Sequence, residues 1–208
     1  GRWEGHIAVL GGQLTVTAPV LFGQLHVMPV LTQFLDRYPQ VTVRALFLDR
    51  IVNLLEEGMD AGVRIGELPD STMKAIGVGH VRRVVCASPD YLRAHGVPRV
   101  PADLARHIVV SASAVSPSVE WRFVAGKKTI GVKVSPRLTV TGNDAAIQAA
   151  LQGFGVTRLL SYQVAAHLVS GQLRAVLGEY EPRRLPIHVL HREGRQASAK
   201  VRTFVDLL

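Results

Sequence analysis

The residues of this sequence that could do chemistry favour the binding of an anion over catalysis. Arg64 lies in the middle of the apolar run AGVRIG, which predicts a buried strand. A guanidinium in such a place is costly to bury unless an anionic group pairs with it. The partner is either an acid of the protein, such as Asp49, Glu67 or Asp70, or a bound ligand. The sequence favours neither of these two alternatives.

Backbone N–H groups and hydroxyls supply further candidates for anion binding. Two predicted helix starts, at Pro19–Gly23 and Gly142–Asp144, offer free N–H groups that suit a carboxylate. Several hydroxyls lie near predicted strand ends, although ordinary helix capping is the stronger alternative for each of them. They belong to Thr17, Ser111, Ser113 and Thr141.

Motifs that would indicate an enzyme or a metal site are missing from the sequence. It contains no GxSxG elbow, no Walker loop and no HExxH. The segments GVGHVR and GFGVTR each lack the third glycine of a dinucleotide-binding loop. His188 and His191 are three residues apart in a predicted strand, which places them on opposite faces and disfavours a shared metal. We therefore expect no enzymatic activity, no cofactor and no metal.

Length and composition restrict the class of protein. The chain has 208 residues, 48% of them hydrophobic, which suits one large domain or two small lobes with a real core. No apolar run reaches the roughly 18 residues that a membrane helix needs, and GRWEGHIAVLGG does not resemble a secretion signal. The single cysteine, Cys86, is interpreted as a core residue. It cannot form an internal disulfide, which fits a cytoplasmic protein.

The net charge of +8 suggests nucleic-acid binding at first sight. The basic residues, however, are scattered singly and in pairs such as Arg82–Arg83 and Lys127–Lys128, without a run of five or more. No aromatic cluster interleaves with them as a stacking surface requires. A solvated basic surface is the better interpretation.

The elements that must position these candidates alternate between strands and helices. Gln13–Ala18, Val41–Phe47 and the AGVRIG run predict strands, and the apolar positions from Leu25 to Leu35 predict a helix kinked at Pro29. Strands joined by helices favour a parallel sheet, whose ligands bind outside the carboxyl ends of the strands. Arg64 and the residues that follow the first two strands should therefore share one sheet edge.

The second half repeats the α/β pattern with other lengths. A hairpin is predicted around Gly126, and TGNDAAIQAALQGFG predicts a helix capped by Thr141 or Asn143 and ended by Gly153 and Gly155. A last helix covers 197–208. Two similar lobes are the natural interpretation, with the cleft between them as the expected ligand site.

Long segments of the chain resemble the effector-binding domain of LysR-type transcriptional regulators. They are QLTVTAPVLFGQLHVMPVLTQFLDRYPQVTV, LDRIVNLLEEGMDAGVRIGELPDS, CASPDYLRAHGVPRVPADLARH, PRLTVTGNDAAIQAALQGFGV, GQLRAVLGEYEP and KVRTFVDLL. The resemblance implies an α/β fold of two Rossmann-like lobes with a central cleft, as in type 2 periplasmic binding proteins. Lobe one is then residues 12–84 plus 187–208, and lobe two is residues 85–186.

The resemblance also implies which segments contact a small-molecule effector. They are the loop after the first strand, the ends of the next two strands, the first strand of lobe two and the start of the capped helix. The implied effector-binding residues are Thr17, Ala18, Pro19, Val20, Phe22, Leu48, Asp49, Val63, Arg64, Ile65, Gly66, Val110, Ser111, Ala112, Thr141, Gly142 and Asn143.

Three segments depart from the family's usual pattern. Residues 1–11 do not resemble its linker helix, and Ala18-Pro19-Val20 replaces a common serine/threonine pair, which leaves backbone N–H contacts there. Arg158 and Ser161 stand where small apolar residues and proline are usual.

The family implies partners as well as a ligand. We expect a homodimer, and a tetramer in a full-length protein, that binds DNA only through an N-terminal winged helix-turn-helix absent from this chain, with no membrane partner. The effector is expected to be a small molecule, with a carboxylate as the indicated class. A periplasmic solute-binding protein of the same fold is the alternative function. A helix-turn-helix upstream would favour the regulator, whereas a signal peptide would favour the alternative.

Overall fold

The structure is a computed structural model that describes residues 10–50, 53–54, 57–68, 73–112, 120–192 and 199–208. The chain divides into two compact units. Lobe one comprises the chain up to His80 and from Pro186 onward, and lobe two comprises Val81–Leu185. Both contain sheets and helices, so the predicted α/β class is confirmed.

Lobe one contains a five-stranded sheet. Its strands are β1 (Gly11–Ala18), β2 (Gln40–Phe47), β3 (Ala61–Ile65), β4 (Lys74–Val81) and β12 (Leu185–His191), in the order β2-β1-β3-β12-β4. β1 runs parallel to β2 and β3, as the β-α-β pattern predicts. β12 returns from lobe two and runs antiparallel to β3.

The first helix, α1, consists of three stretches. It is α-helical at Val20–Phe22, π-helical at Gly23–Val27 and α-helical again at Met28–Arg37. The Met28 N–H donates to the Gly23 carbonyl, five residues back, which widens the turn just before Pro29. The predicted proline kink is thus expressed as a π-helical stretch, one of the usual causes of an irregular helix.

The core of lobe one joins α1 to the last helix, α5 (Ala199–Leu207). Phe34 is fully buried, and its ring meets the Phe204 ring edge-on at 5.7 Å between centroids. Val201 and Val205 are buried on the same face of α5, as their spacing predicts. The end of the chain therefore packs against the first helix of the same lobe.

Lobe two contains a second five-stranded sheet and a separate hairpin. The sheet comprises β5 (Arg83–Ala87), β6 (Val109–Ala112), β9 (Leu138–Val140), β10 (Val156–Leu160) and β11 (Arg174–Val176), in the order β11-β5-β10-β6-β9. β6 is parallel to β9 and β10, whereas β5 is antiparallel to β10 and β11. The hairpin of β7 (Glu120–Ala125) and β8 (Lys128–Lys133) turns at Gly126, which confirms that prediction.

The helices of lobe two lie between its strands along the chain. They are α2 (Pro89–His95), α3 (Asn143–Leu151) and α4 (Ser161–Ser170), with 3-10 turns at Pro101–Arg106 and Gly178–Tyr180. Cys86 is buried in β5, and burial raises the pKa of its thiol to about 12. The thiol is therefore protonated at neutral pH and is not a nucleophile. None of the helices in the described ranges is long and apolar enough to cross a membrane.

The caps of α3 differ from the prediction. Gly142 is the N-cap residue, and no side chain bonds to the helix start from that position, so capping by Thr141 or Asn143 was wrong. Gly153, at φ +77°, follows the helix end as predicted. Gly155 has a different role, because a Cβ there would lie 2.5 Å from the carbonyl oxygen of Ile108. It allows two chain segments to approach closely, and it does not cap the helix.

Candidate functional site

Three polar side chains belong to one face of the lobe-one sheet. Thr17 is paired with Gly62 across parallel strands, which puts the two residues on the same face. Arg64 follows Gly62 by two positions and so shares that face. His188 on β12 lies directly opposite Arg64. The register thus brings together Thr17, Arg64 and His188 from three strands.

Arg64 and His188 form a close cross-strand pair. The Gly66 N–H donates to the Pro186 carbonyl at 2.9 Å, so these two residues form a hydrogen-bonded pair at the end of β3 and β12. In antiparallel strands, hydrogen-bonded and non-hydrogen-bonded pairs alternate. Arg64 and His188 then form the next such pair, with Cα atoms about 5.5 Å apart. Both residues are half-buried. A guanidinium and an imidazole therefore lie side by side near the carboxyl end of β3.

No acid in the described ranges forms an ion pair with Arg64. Glu67 is exposed, and Asp70 lies outside the described residues. The Nδ1 atom of His188 is buried without a hydrogen-bond partner among the residues the structure describes. Among the described residues, no carboxylate therefore pairs with Arg64, and its pairing with Asp70 stays a prediction. Arg64 and His188 are two groups suited to an anion.

Asp49, the third internal candidate, binds elsewhere. Its Oδ1 accepts a hydrogen bond from the Val20 N–H at 3.0 Å, at the first residue of α1. The Leu48 N–H also donates to the Ala18 carbonyl at 2.9 Å, which ties the end of β2 to the end of β1. The expectation that the Pro19–Gly23 helix start is free for a ligand was therefore wrong in part, because a carboxylate of the protein already binds there.

The remaining lobe-one candidates contribute mainly backbone or core atoms. Ala18 and Val63 are buried, and their side chains face the side of the sheet opposite Thr17 and Arg64. Ile65 alternates with Arg64 in the same way. The Phe22 ring packs against the His26 ring at 5.0 Å, and Gly66 has a positive φ of 109°.

The lobe-two candidates also converge on one sheet edge. Ser111 and Ala112 pair with Thr139 and Val140 across the parallel strands β6 and β9. Thr141, Gly142 and Asn143 follow β9 directly and lead into α3, so both groups lie at the carboxyl ends of neighbouring strands. Ser113 lies outside the described residues.

Two of these lobe-two groups are already engaged within the protein. Val110 is fully buried, and its carbonyl accepts a hydrogen bond from the Thr157 hydroxyl at 2.9 Å. At the start of α3, the Asp144 Oδ1 accepts from the Ala145 N–H at 2.9 Å. The helix start thus has its own negative charge, which makes it a poorer site for a second anion.

Metal binding finds no support in the described part of the chain. No group of three or more His, Cys, Asp or Glu residues there could hold an ion. His191 is buried, and its Nδ1 lies 2.9 Å from the Arg192 carbonyl. It pairs with Ala61, whereas His188 pairs with Arg64, so the two histidines occupy opposite faces as predicted.

The sequence interpretation missed His188 as a site residue. It considered His188 only as half of a metal motif, because periodicity along one strand indicates a face and not the neighbouring strand. The antiparallel return of β12 beside β3 is a long-range pairing. A polar residue amid the apolar strand PIHVLH was the one signal present.

The family model described as the LysR substrate binding domain matches residues 8–208. The chain belongs to this family. It is 29% identical over 192 residues to an uncharacterized HTH-type transcriptional regulator of Haemophilus influenzae, covering 92% of this chain and 67% of the relative. It is also 29% identical to the HTH-type transcriptional activator TtdR of Escherichia coli over 200 residues, which are 95% of this chain and 64% of TtdR.

Solved structures agree with this family. The regulatory domain of CrgA, a LysR-type transcriptional regulator from Neisseria meningitidis, has a TM-score of 0.82 at 25% identity, with 95% of this chain and 97% of that one covered. The full-length virulence activator AphB of Vibrio cholerae has a TM-score of 0.85 at 22% identity, with coverage of 99% and 70%. The predicted two-lobed fold of the type 2 periplasmic-binding-protein class is confirmed.

These relatives also decide between the two predicted functions. Those named above are transcriptional regulators, which favours the regulatory domain of a LysR-type regulator over a periplasmic solute-binding protein. This LysR-type chain spans 64–67% of the length of the curated relatives named above. What a whole regulator does beyond this domain is therefore a matter of proposal.

Proposed function

We propose that this LysR-type domain senses a small carboxylate and passes the signal to a DNA-binding domain of a longer cytoplasmic regulator. The observation that carries the proposal is the pair of Arg64 and His188 on one sheet face without an acidic partner in the described ranges. The domain acts as a binding module and not as an enzyme. DNA binding belongs to a winged helix-turn-helix outside residues 1–208.

The chemistry of this pair supports an anionic ligand. A guanidinium and an imidazole on one sheet face offer several N–H donors. An anion between the two side chains accepts hydrogen bonds from these donors. The planar guanidinium suits a carboxylate in particular, because its two parallel N–H donors match the two carboxylate oxygens. A ligand oxygen or N–H group would also satisfy the buried His188 nitrogen, whose desolvation otherwise costs about 1–3 kcal/mol.

The proposed effector residues divide by role. The ligand is proposed to bind the side chains of Arg64, His188 and Thr17. Gly66 and Pro19 follow Arg64 and Thr17 by two residues each. Asp49 is proposed to hold the start of α1 and not the ligand. The lobe-two segments 110–112 and 141–143 are proposed on their own as hydroxyl and amide donors at the sheet edge of lobe two.

Regulation is proposed to follow from a population shift. An effector that binds one state of the domain more tightly raises the population of that state by its difference in affinity. The DNA-binding domains of the regulator would respond to that change.

The first prediction concerns Arg64→Gln. In a thermal-shift screen of acetate, benzoate and succinate, at least one of these carboxylates is expected to raise the melting temperature of the parent. The variant should bind that carboxylate about tenfold to a hundredfold more weakly, because a charge-assisted hydrogen bond contributes about 1.5–3 kcal/mol. His188→Gln should weaken binding by a smaller factor, since an amide still offers a donor.

Arg44→Gln is the matched control, because Arg44 is an exposed arginine of the same sheet. Its affinity for the carboxylate should equal that of the parent. If no carboxylate shifts the parent and Arg64→Gln simply melts several degrees lower, Arg64 is an internal strut and the carboxylate proposal is wrong.

We also propose that the domain forms a homodimer through α1. Leu25 and Met28 are 50% and 39% exposed, and they lie three positions apart on this helix, so the two apolar side chains are close together. Burial of one leucine contributes about 1.5–3 kcal/mol, and a two-fold dimer buries it twice. The interface thus has apolar anchors at its proposed centre.

The second prediction follows from this dimer. Leu25→Glu should convert a dimer into a monomer at micromolar concentration, measured by light scattering during size-exclusion chromatography. Val78→Glu is the control, because Val78 is 46% exposed in the same lobe but lies on the edge strand β4. A parent that is monomeric, or a Leu25→Glu variant that stays dimeric, contradicts the proposal.

A further inference from the structure

A chain of hydrogen bonds in lobe two passes through the hydroxyl of Tyr91. This tyrosine lies on α2 and is only 2% exposed. Its hydroxyl oxygen lies 2.8 Å from the Nδ1 atom of His107 and accepts the Ile108 N–H at 3.0 Å. His107 and Ile108 are the two residues that precede strand β6. One oxygen atom therefore joins a helix, a titratable imidazole and the start of a strand.

The donors and acceptors of this chain indicate the form of His107. A tyrosine hydroxyl has one hydrogen to donate, and a neutral imidazole has one N–H and one bare nitrogen. Since the Ile108 N–H donates to the Tyr91 oxygen, the hydroxyl hydrogen still requires an acceptor. Within the described part of the chain, that acceptor is the Nδ1 atom of His107. The arrangement that satisfies every group has a neutral His107 with its proton on Nε2.

Protonation of His107 breaks this chain. Both nitrogens of an imidazolium are donors, so Nδ1 can no longer accept the Tyr91 hydroxyl. The Tyr91 oxygen would then receive N–H groups from both His107 and Ile108, while its own hydrogen would be buried without an acceptor. A buried polar group without a partner is costly. The protonated state therefore favours separation of Tyr91 from the start of β6.

The charged groups around His107 do not compensate for its protonation. The elements packed around it carry Asp90, Arg93 and His95 on α2, Asp103 and Arg106 on the 3-10 turn, and Lys128 and Lys133 on β8. The one nearby carboxylate that acts on His107 is that of Asp103. It already accepts from the Arg106 guanidinium and from the N–H groups of Arg99 and Val100. It is therefore not a free partner for an imidazolium.

The balance of these effects gives the direction of the pH dependence. Burial lowers the pKa of His107, the Asp103 carboxylate opposes this, and the charges of His95 and Arg106 add to it. The unfolded chain, in which the pKa has its ordinary value of about 6.5, then binds a proton at a pH at which the folded lobe does not. The stability that a neutral His107 contributes is complete above that ordinary pKa, and it is lost as the pH falls through the folded value.

We propose that Tyr91, His107 and Ile108 form a pH-sensitive latch in lobe two, which is closed while His107 is neutral and opens when His107 is protonated. Opening frees the Ile108 N–H at the start of β6. The Ile108 carbonyl accepts the Val156 N–H at 2.8 Å, so the opening also loosens the pairing of β6 with β10. The three latch residues are not among the proposed effector residues, and the latch does not depend on the proposed function.

The first test compares the melting temperature of the whole chain at about pH 7.5 and about pH 5.5, on either side of the ordinary histidine pKa. The parent should lose several degrees more than His107→Gln does, because the glutamine oxygen can accept the Tyr91 hydroxyl but gains no proton. His95→Gln is the matched control, since His95 is exposed and stacks on the same Tyr91 ring at 4.5 Å between centroids. It should keep most of the loss that the parent shows.

A second test measures the latch directly through hydrogen exchange of the Ile108 amide. Relative to its intrinsic rate, this amide should exchange about tenfold faster at the lower pH in the parent, because it loses its acceptor. Tyr91→Phe keeps the packed ring without the hydroxyl, so its Ile108 amide should be equally unprotected at both pH values. The proposal is overturned if the parent and His107→Gln lose the same number of degrees. It is also overturned if the protection of Ile108 in the parent does not change with pH.

Discussion

Gly155→Ala is expected to lower the free energy of unfolding by about 3 kcal/mol, at the upper end of the cost of overpacking. The added Cβ would lie 2.5 Å from the Ile108 carbonyl oxygen and 3.0 Å from its Cγ2. The clash is with backbone, which cannot rotate away as a side-chain end can. The same carbonyl accepts the Val156 N–H at 2.8 Å, so relief of the clash also stretches the hydrogen bond that opens the pairing of β10 with β6.

Gly153→Ala is the informative comparison, because it changes the other glycine of the same GFG segment. Its penalty should be about 1–2 kcal/mol, the cost of a left-handed conformation for a residue with a Cβ. Urea unfolding followed by far-UV circular dichroism measures both values. If Gly155→Ala lowers the free energy of unfolding no more than Gly153→Ala does, Gly155 and the Ile108 carbonyl are not in close contact.

The sequence predicted the elements of the fold better than their contacts. Alternation along β1 and β2 and the turn at Gly126 are local patterns, and the structure confirms them. The shared face of α5 is local too, since Phe204 and its neighbours recur at helical spacing. Such features follow from the chain within one element and require no knowledge of distant partners.

The parts of the candidate site that sequence reasoning missed depend on long-range pairing. His188 is 124 positions from Arg64 in the chain, and only the register of β12 against β3 brings them together. A residue pattern indicates the face on which a side chain lies, but the strand beside it is set by the whole fold.

Side-chain hydrogen bonds were a second source of error. Asp49 was expected to pair with Arg64 or to contact a ligand, whereas its carboxylate accepts a hydrogen bond from the Val20 N–H at the start of α1. Thr141 was equally plausible as a cap, but Gly142 occupies that position. Several short polar residues near a helix start compete for the same N–H groups, and only tertiary structure decides among them. One backbone N–H at the start of α1 is therefore bound by a carboxylate of the protein itself.

Phe34→Ala is expected to have the largest effect of all, a loss of about 3–5 kcal/mol of unfolding free energy. Phe34 is 0% exposed, and its ring contacts both Tyr38, at 5.1 Å, and Phe204, at 5.7 Å between centroids. Alanine would leave a cavity between α1 and α5 that the surrounding backbone can close only in part. Phe154→Ala is the control, since that phenylalanine is 38% exposed and should change stability by less than about 1 kcal/mol.

The position of the cavity gives a second readout besides global stability. Since α5 is held to lobe one through Phe204, its amide hydrogens should exchange faster in Phe34→Ala, whereas those of β10 in lobe two should change less. Phe204→Ala should produce the same pattern, and the double variant should be less destabilised than the sum of the two, by about 0.5–1.5 kcal/mol for the lost aromatic pair. Strict additivity would mean that the two rings do not interact, and that the last helix is anchored to its lobe by other contacts.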